Sequence, residues 1–116
     1  MYDVKPEIKT LLQGISGVTV SDAYPADWKK LPHISFYEQS NKDAVKIKNG
    51  PLSDIVIQID IWHNRSTGPI AQQVDTKMAL IGFVREFAAD VPDKNAKRKT
   101  MRYRGVVNIR TSLVHQ

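Results

Sequence analysis

Isoleucine occupies positions 55, 57, 59 and 61 in the stretch DIVIQIDIWHNRSTG, residues 54–68. A strict period of two fits an extended strand with one buried face and does not fit a helix. β-Branched side chains also favour a pleated, half-buried surface. Residues 53–63 are therefore predicted to form a strand whose isoleucine face lies in the core. The opposite face carries Val56, Gln58, Asp60 and Trp62, with His63 just beyond. Burying one face of a strand requires a second layer against it, so this stretch commits the chain to a layered sheet. What covers the face with the carboxylate and the tryptophan is the functional question.

The flanking sequence supplies the second layer. Val4, Ile8, Leu11, Leu12 and Ile15 recur at helical spacing, and Asp3 is placed to cap the start. Pro6 is tolerated in a first turn, and Gly14 and Gly17 provide a stop. A second helix follows NRSTGP, 64–69, where Ser66, Thr67 and Pro69 form a start signal. Ile70, Val74, Met78 and Ile81 make its apolar stripe, and Gly82 ends or bends it.

Further strands are expected at 18–24 and at 33–40, where Ile34 and Phe36 oppose Ser35 and Tyr37. Residues 25–32, with two prolines, read as a loop. Asn41, Lys42 and Asp43 have turn chemistry, so 42–48 is expected to pair back as a hairpin partner with Val45 and Ile47 inward. Residues 49–51 break that strand. Residues 83–87 are either a closing helical turn or a new strand, and 88–99 read as a long polar connection. Residues 100–114 alternate again, with a bulge expected at Gly105. Connections between the strands of 33–63 are too short for crossovers, so those strands should be antiparallel.

With 116 residues, 41% hydrophobic and 25% charged, one folded domain is expected over 1–116. The fold class is α+β: a two-layer, mostly antiparallel sheet with two helices packed on one face. There is no cysteine, which excludes disulfides and thiolate zinc sites. The opening MYDVKPEIK does not read as a secretory signal, and no apolar run approaches a membrane span of about 18 residues.

The net charge of +5 is unevenly placed. Residues 1–93 hold 10 basic and 12 acidic side chains, while 94–116 hold 7 basic and none acidic. The excess over 94–104 (Lys94, Lys97, Arg98, Lys99, Arg102, Arg104) is either a patch for an acidic partner or a solvated loop and strand. The segment holds one aromatic residue, Tyr103, so stacking platforms for bases are scarce.

Catalytic patterns are missing. The three histidines, 33, 63 and 115, form no HxH or HxxxH pair, and Asp60 and His63 point to opposite faces of a strand. Asp43, Asp54 and Asp60 with Lys46 and Lys48 are loose material for a two-carboxylate nuclease site. No serine sits in a glycine-rich elbow, no phosphate loop precedes a helix, and the basic charge is not on a helix as DNA-reading motifs require. The chain reads as an interaction component without an enzymatic site, a metal or a cofactor. Trp62 and Asp60 then become candidate contact residues, because a tryptophan on an open strand face is a favoured interface anchor; the alternative is that Trp62 folds over the strand end and covers the core. Tyr24 and Trp28 raise the same question.

The strand IQIDIW, the polar turn NRSTG, the helix AQQVDTKMALIGF and the late basic strand RYRGVVNIR, following an N-terminal helix and a β-meander, resemble the tail-completion proteins of long-tailed bacteriophages, also called tail terminators or tail-to-head joining proteins. The likeness is best over residues 53–110 and covers residues 1–40 in layout only. It implies a non-enzymatic virion assembly protein that forms a ring, commonly a hexamer, at the head-proximal end of the tail tube. Such a ring terminates tail polymerisation and joins tail to head. Implied partners are further copies of the chain, the tail tube protein and a head-neck connector, with DNA passing through the lumen and no membrane. The implied location is the bacterial host cytoplasm during assembly and then the virion. On this resemblance Lys94, Lys97, Arg98 and Lys99 would face an acidic partner or the DNA. The alternative reading is a small basic nucleic-acid-binding module or another neck or minor tail component.

Overall fold

The isoleucine strand lies at the centre of the molecule. The computed structural model describes residues 3–22, 25, 30–43, 52–94, 96–108 and 113–115. In chain order the elements are α1 (Lys5–Gln13), β1 (Thr19–Ser21), β2 (His33–Asp43), β3 (Leu52–His63), α2 (Gly68–Leu80), β4 (Val84–Val91), β5 (Lys97–Asn108) and β6 (Leu113–His115). The sheet order is β1-β2-β3-β5-β4, with β6 paired to β5. Every pairing is antiparallel except β1 with β2, which is parallel. β3 holds β5 along its whole length, from Leu52↔Asn108 to His63↔Lys97. β6 meets β5 at 106–108 and so shares the β5 edge that β4 uses.

Both helices lie on one face of this sheet, giving the expected two-layer α+β fold. Ile55, Ile57, Ile59 and Ile61 are fully buried with Ile34 and Phe36 of β2 and Met101, Tyr103 and Val107 of β5. Val4, Ile8, Leu12 and Ile15 come down on them from α1 and its flanks, and Ile70, Ala71, Val74 and Met78 from α2. Full burial stabilises each of the four isoleucines by about 1.5–3 kcal/mol, which makes β3 the largest contributor to the core. No helix among the described residues is long and apolar enough to cross a membrane.

α1 begins with Pro6 in its first turn, and Asp3 accepts the Lys5 backbone N–H at 3.3 Å. α2 ends in a Schellman arrangement. Gly82, at φ 81°, donates its N–H to the Ala79 carbonyl, and Phe83 donates to the Met78 carbonyl. That turn drops the Phe83 ring into the core against Gly105, where a Cβ would lie 2.9 Å from ring carbons. Gly105 is therefore a seat for Phe83. The bulge expected there is absent, since β3 and β5 stay in register through Ile55↔Gly105. The bulges fall instead between Glu38 and Ser40 and between Arg85 and Phe87.

Two further boundaries differ from the sequence reading. Asn41–Asp43 form no turn; they continue β2, with Lys42 opposite Asp54 and Asp43 opposite Ser53. β2 thus pairs with β3 directly, and the proposed 42–48 strand with Val45 and Ile47 lies mostly outside the described residues. Residues 84–91 are a strand, so most of the expected polar connection is structured. Of the two alternatives for 83–87 the strand is the one formed, and it runs on to Val91; its apolar side chains are small or separated by charges, as suits a strand at a sheet edge.

Candidate interaction surface

Residues directly opposite across antiparallel strands share a face, so the register sorts every side chain of the sheet. The face away from the helices is built in rows. One row runs His33, Trp62, Arg98 and Val91; the next runs Ser35, Asp60, Thr100 and Ala89. Then come Tyr37, Gln58, Arg102 and Phe87, followed by Val56, Arg104 and Val84. At the far end Lys42 stands opposite Asp54.

Buried polar groups on this face are joined in a network. Asp60 accepts from the Thr100 hydroxyl at 2.6 Å and from Arg98 at 3.2 Å, while the Gln58 amide donates at 3.5 Å. Trp62 donates its indole N–H to the Ser35 hydroxyl at 2.9 Å, and the Arg98 guanidinium lies 4.7 Å from the ring centroid. The Ser21 hydroxyl and the His33 ring pair at 2.8 Å. Asp54 is held by two hydrogen bonds from Arg104, one of them at 2.8 Å. That hydrogen bonding holds the Asp54 carboxyl below its ordinary range, and it raises the Arg104 guanidinium in return.

The candidate residues therefore separate. Trp62 is 0% exposed within the single chain. It does not stand bare on the face, and the surface-anchor reading is replaced by that of a structural tryptophan capped by Arg98. Asp60 is likewise buried. Alternation sends Arg98, Arg102 and Arg104 to this face, while Lys99 shares the helix-side row with Ile61. Arg98, Lys99 and Arg104 pair with Asp60, Asp90 and Asp54. Lys94 and Lys97 are exposed, and neither they nor Arg102 form an ion pair among the described residues. What was one basic run in sequence is thus three rows with one arginine each, on the outer face, and a separate lysine turn.

That turn borders an open cleft of about 750 Å³ between the β3–α2 loop and the β4–β5 connection. Lys94 and Lys97 line it together with Asp90 and Asp93, and Ser66 and Thr67 stand at the start of α2. Its mixed charge does not select an anion. Asp54 and Asp60 lie six residues apart on one strand, about 20 Å, too far to share a metal pair. Among the described residues no three histidine or carboxylate side chains come together. His63 Nδ1 accepts the Asn64 backbone N–H at 3.0 Å. Tyr24, Trp28, Lys46 and Lys48 lie outside the described residues.

Sequence reasoning missed two surface residues. Tyr37 and Phe87 are each 44% exposed on the outer face. Tyr37 was legible as the residue opposed to Phe36 in the alternation. Phe87 was not, because it follows the bulge and sits in a stretch readable as helix or strand. No protein-family model matches this chain, and no curated protein is found to be related to it.

Proposed function

We propose that this chain is a structural subunit of a long-tailed phage or prophage virion. Copies of it form a ring at the head-proximal end of the tail tube, end tube polymerisation and join tail to head. The observation that carries the reading is the open side of the sheet. β4 is an eight-residue edge strand, mostly exposed, with Val84 66% exposed beside Phe87. An edge of that length is a template for pairing with another chain. Repeated subunit contacts of roughly 600–1,500 Å² each are weak alone and hold collectively, so a monomer in dilute solution is compatible with a ring on the tail. The two-layer α+β fold supports the reading as well. In it, the tail tube protein and a head-neck connector contact the two sides of the ring, and assembly takes place in the host cytoplasm.

Electron microscopy of lysates tests this. Deleting the gene from the phage that carries it is expected to give tails of irregular, excessive length lying apart from filled heads. Normal tails on normal heads would overturn the reading.

A further inference from the structure

The basic segment brings one aromatic ring of its own, and Tyr103 turns that ring into the core, 1% exposed. The sheet register supplies rings from elsewhere. Tyr37 opposes Gln58, Gln58 opposes Arg102, and Arg102 opposes Phe87, so one row crosses four strands. Its two ends are exposed aromatics, three strand spacings or about 14 Å apart. Between them stand an amide and a guanidinium. Arg102 lies over the Phe87 ring at 5.3 Å, and its Nε has no hydrogen-bond partner. Arg104 occupies the adjoining row and Lys42 the row beyond it.

We propose that this face is a platform for single-stranded nucleic acid. Tyr37 and Phe87 stack unpaired bases, Gln58 and Arg102 meet base edges, and Arg104 and Lys42 take phosphates. Aromatic side chains on four-stranded sheets stack about two or three bases in this manner. The charge layout favours an anion. The side chain of Asp54 is 8% exposed beneath Arg104 at 53%, and that of Asp60 is 6% beneath Arg98 at 19%. At these two pairs the guanidinium groups are what a partner meets and the carboxylates lie below them; the exposed Glu86 carboxylate also lies near Arg104. Tyr37 and Phe87 stand apart with polar residues between them, a spacing that matches the alternation of base and phosphate. A duplex keeps its base faces inside the stack, so this row selects unpaired strands. The row lies within one subunit, and its binding does not depend on ring formation.

Fluorescence anisotropy of a labelled oligothymidylate with the intact chain, at about 50 mM salt, tests the proposal. Binding is expected to weaken steeply with added salt and to exceed that for a duplex of equal length at least about tenfold. Tyr37→Ala and Phe87→Ala are each expected to weaken it about 5- to 150-fold, whereas Tyr37→Phe and Phe87→Tyr retain it. Lys42→Ala, at a phosphate contact, should lower the salt slope by about one. Both rings are surface residues, and circular dichroism checks that the variants fold. The proposal is overturned by absent binding, by equal affinity for duplex, or by equal competition from polyglutamate. It also falls if Lys94→Glu with Lys97→Glu abolishes binding while the two ring variants leave it unchanged.

Discussion

Replacing Trp62 by alanine removes the largest fully buried side chain, and with it the seat of Arg98 and the donor to Ser35. The expected cost is about 3–5 kcal/mol, read from urea unfolding of the monomer, with any effect on assembly secondary to it. Tyr103 supplies a pH signature. Burial, then the hydrogen bond to Asp75, push its hydroxyl above the ordinary value of 10. A group raised in the fold contributes stability that is whole below its unfolded value and is lost as pH rises beyond it. Unfolding midpoints should therefore fall as pH climbs above about 10, and Tyr103→Phe should flatten that fall. At this scale the isoleucines were legible because a period of two has one meaning. Trp62 was not: alternation gives the face a residue occupies, while its cover came from Arg98, 36 residues away in the chain.

Between residues and molecule, the turn from α2 into β4 shows how elements depend on one another. Gly82 permits the turn, the turn delivers Phe83, and Gly105 on β5 leaves space for its ring. Gly105→Ala should destabilise the protein by about 1–3 kcal/mol, because the new methyl meets the Phe83 ring, which must be displaced in the core. Combining it with Phe83→Ala should cost less than the sum of the single changes, as expected of residues sharing one space. Both helices were readable from their stripes and stop signals, and so was the core strand. β4 was readable only as one of two alternatives over 83–87, since an edge strand with one weakly apolar face has little periodicity to display. The length of β2 was hidden by Asn41 and Asp43, whose turn chemistry is overridden by pairing with Ile55 and Ser53.

For the whole molecule, charge is the feature that reads differently in three dimensions. Three of the six cations of 94–104 pair with carboxylates from elsewhere in the chain, and Lys94 and Lys97 are exposed at one end with no ion pair among the described residues. Reversing those two is expected to leave stability within about 0.5 kcal/mol while lowering the yield of rings seen by native mass spectrometry. Unchanged ring yield would remove the lysine turn from the assembly interface. Reversing Arg98 would not test the same idea, because it strips both Asp60 and Trp62 of their partner.

The place of β5 between β3 and β4 also sets an order of events during synthesis. β3 leaves the ribosome with β2 available on one side, but its other edge waits for residues 97–108. At about 5–20 residues per second that wait is on the order of seconds. Throughout it a strand bearing four isoleucines has an open edge, and its apolar face has α1 alone to cover it until α2 follows. The nascent chain, more than the finished protein, is where this sequence is most exposed to misassembly and most dependent on chaperones.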